Sequence, residues 1–174
     1  MAQKHLIFNI LAVLLIVSCG NSGSQSKSAT IAENITNTDT KNYLSMKVNG
    51  AEWIADNEVF GAYHPKGYNN AVIISGSKGI KDKEEQTFNL NLYNTNGPST
   101  FDIKDGNADL NVVQLGNLAA ENYLCGSMMG FDMKVIVIKA SKNPDIIEAT
   151  FQGKLTCSSG EILNITEGKF YYKE

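Results

Sequence analysis

The stretch from residue 147 to residue 157 reads Ile-Glu-Ala-Thr-Phe-Gln-Gly-Lys-Leu-Thr-Cys, and it decides the fold class. Every second residue, from Ile147 to Cys157, is apolar or small, and the residues between them are polar or charged. A period of two is that of a β-strand with one buried and one solvent-facing side. Burial on one side only is typical of antiparallel sheets. We therefore predict an antiparallel strand over this stretch.

Similar signals occur on both sides of this strand. Asn49-Gly50 lies between two apolar runs and predicts a two-residue hairpin turn, because both central residues of that turn need a positive φ. Residues 87–94 alternate between apolar and polar, and residues 131–140 are apolar on both sides, as in a central strand. Gly168 interrupts the last apolar run and predicts a bulge or bend.

Residues 43–174 are predicted to form a single all-β domain. Short strands separated by turn signals are typical of an antiparallel β-sandwich or a small β-barrel, and the sequence leaves both architectures open. Helical periodicity is absent from this part of the sequence.

The amino-terminal segment predicts where the protein resides. Lys4 and His5 precede the apolar stretch 6–17, which has the length of a signal-peptide core and is too short for a transmembrane helix. The residues before Cys19 resemble the lipobox of bacterial lipoproteins. The resemblance implies that residues 1–18 are a cleaved signal peptide and that Cys19 carries the lipid. An anchor with two or more acyl chains holds a protein stably to a membrane.

Residues 19–42 are rich in Ser, Thr and Asn and predict a flexible tether that follows the lipidated cysteine. Gly20, by analogy with lipoprotein sorting, favours the outer membrane over the inner one. Acidic export signals follow the cysteine in some surface lipoproteins, and this chain has none there. We therefore expect an outer-membrane protein that faces the periplasm rather than the cell surface.

The numbers and types of charged residues reduce the range of functions that the sequence supports. The chain has 15 basic side chains against 18 acidic ones, and every basic residue is lysine. A chain that is acidic overall and has no arginine is a poor candidate for a nucleic-acid-binding protein, because contacts to phosphate supply most of the affinity for nucleic acid. His64 is the one histidine after the predicted signal peptide, so a histidine-based catalytic or metal site has a single candidate base. We expect no enzymatic activity and no cofactor.

The number of cysteines predicts one disulfide. With Cys19 lipidated, Cys125 and Cys157 remain, and an even number of cysteines in an oxidising envelope favours a bridge. Cys157 shares the apolar side of its predicted strand with Phe151 and Leu155, so it is expected to point inward. The alternative is a pair of buried free thiols.

The predicted domain resembles small bacterial lipoproteins of the uncharacterised β-rich type found in Bacteroidota. The residues that carry this resemblance lie near the tether and in the closing strands: Met46, Val48, Asn49, Gly50, Trp53, Ala55, Ile147, Ala149, Phe151, Ile165, Thr166, Gly168 and Phe170. The resemblance implies a β-sandwich-like fold and a location in the cell envelope. It brings no established activity, so it assigns no functional residues.

Three aromatic residues are candidates for ligand binding. Trp53, Tyr63 and Tyr68 could stack on a sugar if their rings are exposed. For Trp53, the only tryptophan, packing in the core is the alternative.

A calcium loop is a further candidate. Asp105, Asn107 and Asp109 have the spacing of the first three ligands of such a loop. Leu110 and Gly116 stand where that motif has its glycine and its last glutamate. A solvated turn is therefore the alternative interpretation.

Together these features predict a membrane-anchored lipoprotein with a non-catalytic binding or interaction domain. Its partners are the membrane, through the lipid, and an envelope protein or glycan. One alternative is a carbohydrate-binding module that uses Trp53 and exposed tyrosines. Another is a small secreted protein of the hydrolase-inhibitor type.

Overall fold

The computed structural model describes residues 41–64, 70–81, 83–106 and 111–174, and within these ranges the chain is almost entirely β-structure. The strands of the described part are β1 (Tyr43–Val48), β2 (Ala51–Ile54), β3 (Val59–His64), β4 (Ala71–Lys78), β5 (Gln86–Tyr93), β6 (Ser99–Ile103), β7 (Asn111–Gly116), β8 (Leu124–Gly126), β9 (Phe131–Ser141), β10 (Ile146–Thr156) and β11 (Ile162–Lys173). A short 3-10 helix, Ser127–Met129, joins β8 to β9.

The strands form two antiparallel sheets that pack face to face. One sheet has six strands in the order β2-β1-β11-β10-β9-β6, and the other has five in the order β3-β4-β5-β7-β8 within the described residues. Of the two predicted architectures, the structure therefore has the sandwich. Strand β6 leaves its sequence neighbours β5 and β7 and pairs with β9 in the other sheet.

The predicted alternation of the stretch 147–157 is confirmed in β10. Ile147, Ala149, Phe151 and Leu155 are buried, and the polar or charged residues that alternate with them, Glu148, Thr150, Gln152 and Lys154, lie on the outward side. Phe151 stacks on Phe88 of the opposite sheet, with ring centroids 5.2 Å apart and an interplanar angle of 12°. This contact joins the two sheets at the centre of the core, since Phe88 is itself fully buried.

The hairpin and the bulge are confirmed as well. Asn49 and Gly50 have φ values of 49° and 84°, and they join β1 to β2 in the register that a two-residue turn imposes. The pairing of β10 with β11 shifts register between Phe151 and Gly153. At Gly168, opposite this shift, a Cβ atom would collide with the ring of Phe151, so the bulge requires glycine.

Strand β9 differs from its prediction. Its position inside the sheet is as expected, but Ile136 and Ile138 are 40% and 50% exposed on the outer side of the sheet. The apolar second half of this strand therefore does not reflect burial on both sides. No other element described in the structure covers that side.

The disulfide between Cys125 and Cys157 is present. Cys125 lies in β8 of the five-stranded sheet, and Cys157 directly follows β10 of the six-stranded sheet. Both cysteines are buried. The bond therefore links the two layers covalently at one end of the sandwich.

Candidate binding face

Trp53 is not available for stacking on a ligand. Its side chain is 2% exposed and lies near the ring of Phe88 in the core. The indole N–H donates a hydrogen bond to Oε1 of Gln86 at 2.8 Å, which satisfies its one polar group. The prediction of a ligand-binding Trp53 is therefore wrong, and the alternative of a core residue is correct.

Tyr63 is likewise buried, with 7% of its surface exposed, so its predicted role in ligand binding is wrong. Its backbone N–H donates to Oδ2 of Asp145, and Lys142 Nζ donates to the same oxygen at 2.8 Å. The buried Asp145 carboxylate thus ties the turn after β9 to strand β3. Tyr68, the third aromatic candidate, lies outside the described residues.

The predicted calcium loop lies only partly within the described residues. Asp105 is described, and its backbone N–H donates to Oδ1 of Asp132 at 2.9 Å. Asn107 and Asp109 lie outside the described residues. In the part of the chain that the structure describes, no three His, Cys, Asp or Glu side chains come together as a metal site.

The predicted signal peptide, Cys19 and the tether up to residue 40 also lie outside the described residues. In residues 41–64, 70–81, 83–106 and 111–174, no helix is long and apolar enough to span a membrane.

The outward side of the five-stranded sheet carries the most distinctive set of side chains. Strand register places them in three rows that cross the sheet. We call this set the uncharged face: Phe60, Ser75, Asn89 and Gln114; Ala62, Ile73, Asn91 and Val112; His64, Ala71 and Tyr93. With histidine taken as neutral, none of these residues is charged.

Amide side chains lie at the centre of the uncharged face. Asn89 and Asn91 follow one another on the outward side of β5, and Gln114 of β7 lies directly opposite Asn89. All three are partly exposed. None of the hydrogen bonds between described residues involves these three amide side chains. Ile73 and Val112 flank Asn91 in its row.

The outward side of the six-stranded sheet, which we call the charged face, has the opposite character. It carries eleven acidic or basic side chains: Lys47, Glu52, Asp102, Asp132, Lys134, Lys139, Glu148, Lys154, Glu167, Lys169 and Lys173. Four cross-strand pairs set opposite charges against each other: Lys47 with Glu52, Asp102 with Lys134, Asp132 with Lys154, and Lys139 with Glu148. Opposite charges that face each other across neighbouring strands stabilise a sheet modestly, although none of these four pairs is among the salt bridges of the described residues.

One ion pair on the charged face is well formed. Lys47 Nζ lies 2.7 Å from Oε1 of Glu167 on the neighbouring strand β11. The hydrogen bond to Glu167, reinforced by the negative charges of Glu167 and Glu52, raises the pKa of the Lys47 ammonium. Lys47 therefore keeps its positive charge at neutral pH.

Two surface grooves lie apart from the uncharged face. A groove of about 560 Å³ on the charged face passes over Gly153 and is bordered by Asp132 and Lys154. A second, of about 590 Å³, lies between two loops at one end of the five-stranded sheet, where Ile80 and Tyr123 are exposed. Charged side chains border both grooves, so neither shares the character of the uncharged face.

The sequence predicts part of the arrangement at the centre of the uncharged face. The alternation of residues 87–94 places Asn89, Asn91 and Tyr93 on the outward side of their strand, and the structure confirms this. Their assembly with Gln114 depends on the pairing of β5 with β7, which no local pattern reveals.

Comparison of the chain with protein-family models, with curated proteins and with solved structures gives no match.

Proposed function

We propose that this chain is a non-catalytic binding protein of the bacterial cell envelope, held to the outer membrane by a lipid on Cys19 and facing the periplasm. The uncharged face is its binding surface. The observation that carries this proposal is the group of partly exposed amides at Asn89, Asn91 and Gln114 on a face without charge. Exposed amides are adaptable hydrogen-bonding groups, and they are less costly to desolvate than the ion pairs of the charged face.

The position of the domain on its predicted tether supports this assignment. The chain enters the domain at Tyr43, in strand β1 of the six-stranded sheet. The uncharged face belongs to the other sheet, so the tether joins the layer that does not carry the amides. A flexible segment of about 23 residues spans on the order of 25–30 Å on average, which gives the domain reach above the lipid surface.

Removing the lipidation site tests the anchor. The variant Cys19→Ala, expressed as the full chain in a Gram-negative bacterium, is expected to lose its partition into detergent, because no acyl chain can then be attached. Phase separation of cell extracts, followed by detection of the domain, measures the effect. Cys157→Ala is the control, since it removes a different cysteine and is expected to leave the anchor intact. Equal detergent partition of Cys19→Ala and the unmodified chain would refute the lipoprotein assignment.

Site-directed photo-cross-linking tests the binding surface. A photoreactive side chain at Val112, next to Asn91 in the same row, is expected to give a discrete cross-linked adduct in intact cells. The same group at Thr150, on the outward side of β10, is the matched control and is expected to give none. Adding Asn91→Lys to the Val112 probe should reduce the adduct at least about tenfold, because an unpaired ammonium would be desolvated in the complex.

The outcomes of this experiment are distinct. Adducts of equal yield from positions 112 and 150, or no adduct from position 112, would overturn the assignment of the uncharged face. An adduct with a hydrolase would favour the alternative of an inhibitor-type protein.

A further inference from the structure

We infer that the ligand of the uncharged face is a neutral saccharide chain. This inference rests on the proposed function, and it goes further by naming the chemical class that the face would recognise. It depends on three features of the face: its lack of charge, the spacing of its amides and the apolar surface between them.

The lack of charge selects against ionic ligands. An anionic polymer would need lysines on the face that binds it, because Coulomb attraction and counterion release supply most of that affinity. The chain has 15 basic residues, and none lies among the three rows of the uncharged face. A cationic ligand would need carboxylates, and none lies there either. A ligand without formal charge matches this surface best.

The amides match the hydrogen-bonding pattern of sugar hydroxyls. Each amide side chain presents donors and an acceptor, and each hydroxyl does the same. Asn89 and Gln114 are directly opposite on neighbouring strands, hence about 5 Å apart in backbone spacing. Asn91 lies two residues further along β5, hence about 7 Å from Asn89. Ser75 extends the first row by a hydroxyl on the other side of Asn89. The result is a grid of polar groups whose spacing is closer to that of successive rings along a saccharide chain than to that of neighbouring hydroxyls on one ring.

Apolar groups complete the match, because a sugar ring has weakly polar faces as well as polar edges. Ile73 and Val112 lie on either side of Asn91, and Tyr93 follows Asn91 on the same strand. All three are partly exposed. An aromatic ring next to a row of amides offers a stacking surface beside hydrogen-bonding groups. Tyr93 thus takes the role that the sequence alone predicts for Trp53 and Tyr63.

A protein partner fits these observations less well. The core of a protein–protein interface is usually depleted of polar groups and enriched in large aromatic and aliphatic side chains. Here the centre of the face is made of amides, and its large exposed apolar residue, Phe60, lies on the edge strand β3 and packs against Tyr172 of the other sheet. A protein ligand is therefore an outcome of the test rather than the proposal.

Titration calorimetry on the full lipidated chain in detergent micelles tests the inference. The neutral probes are oligosaccharides of glucose, xylose, mannose and N-acetylglucosamine, and the anionic probe is oligogalacturonate. We expect heat of binding with at least one neutral probe, little change in affinity between low and high salt, and none with the anionic probe. Asn91→Lys should weaken binding at least about tenfold, whereas Thr150→Lys, the same charge on the other sheet, should leave it unchanged.

Sugar analysis of the adduct formed from Val112 in cells separates the two proposals. A neutral saccharide in the adduct, or neutral-probe binding that only Asn91→Lys weakens, supports the inference. A protein adduct with no binding of any neutral probe would overturn the saccharide ligand and leave the binding face standing. Binding of oligogalacturonate alone, or equal effects of Asn91→Lys and Thr150→Lys, would overturn the inference as well. No adduct and no binding would reject both.

Discussion

Replacing Gly153 by alanine is expected to leave the domain unfolded under conditions in which the unmodified chain is folded. Gly153 lies in β10, at the register shift opposite β11. A Cβ atom there would overlap the carbonyl oxygen of Asp132 and would lie 2.8 Å from the Cα atom of Met133. Both contacts are with the backbone of β9, which is held between β10 and β6 and cannot move aside as a flexible side chain could.

The expected cost is about 4–5 kcal/mol, above the ~1–3 kcal/mol that is usual for overpacking a core, because the collision is with backbone atoms. This cost approaches the whole stability of many domains. Circular dichroism during chemical denaturation measures it. Gly50→Ala is the control, because Gly50 has a φ of 84° and no atom within 4 Å of an added Cβ. That variant should lose only about 1–2 kcal/mol, from the left-handed backbone. Equal denaturation midpoints for the two variants would contradict the close approach of β9 and β10.

The fold could be predicted because its signals are local. The alternation in β10 and β5 follows from side-chain burial on one face of each strand, and the sequence pattern alone identifies Phe151 and Phe88 as inward residues. The turn at Asn49-Gly50 follows from backbone sterics alone. The inward orientation of Cys157 follows from the same alternation, and the disulfide follows from the orientation and the number of cysteines.

The ligand-binding prediction for Trp53 is wrong although its sequence context contains the correct answer. A two-residue turn fixes the hairpin register, so Trp53 must lie opposite Met46 on the neighbouring strand. Met46 lies on the apolar side of β1 together with Leu44 and Val48, all of which are buried. When the strand pairing is continued outward from the turn, Trp53 lies opposite Met46 on the apolar side and therefore in the core. Considering the residue type without the register leaves both a core position and an exposed ring open.

The candidate binding face could not be predicted because it depends on strand order. The sequence indicates that Asn89 and Asn91 point outward. The residues that lie opposite them can be identified only when the strand beside β5 is known. The next strand in the chain, β6, crosses to the other sheet, and β7 takes the place beside β5. Gln114 thus reaches Asn89 through a long-range pairing that no local pattern encodes.

The two sheets also divide the charges in a way that composition cannot show. The formal net charge of −3 describes the whole chain, and it does not show that one face has eleven charged side chains while the three rows of the other have none. On the charged face, opposite charges pair across neighbouring strands and contribute to the sheet itself. The uncharged face has no such internal pairing to satisfy its polar groups. This difference is why we place the ligand on the five-stranded sheet.

Removing the disulfide is expected to destabilise the domain by about 3–4 kcal/mol, the loop-entropy cost for cysteines 32 residues apart. The effect should be concentrated at β8, because this three-residue strand lies at the edge of its sheet and, apart from β7, is bridged only to Cys157 among the described residues. The double variant Cys125→Ala/Cys157→Ala, compared with the unmodified chain by chemical denaturation, measures the loss.

A reducing agent added to the denaturation series should lower the midpoint of the unmodified chain to that of the double variant. The same agent should leave the double variant unchanged, which controls for effects other than cleavage of the bond. Because Cys125 and Cys157 are 0% and 2% exposed, reduction requires the end of the sandwich to open first. Hydrogen exchange should then show that the amides of β8 lose protection before those of β10, which lies between two partner strands. If the midpoint stays the same with and without complete reduction, the covalent link between the sheets makes no contribution to stability. Simultaneous loss of protection in β8 and β10 would instead show that the bond stabilises the whole sandwich rather than its edge.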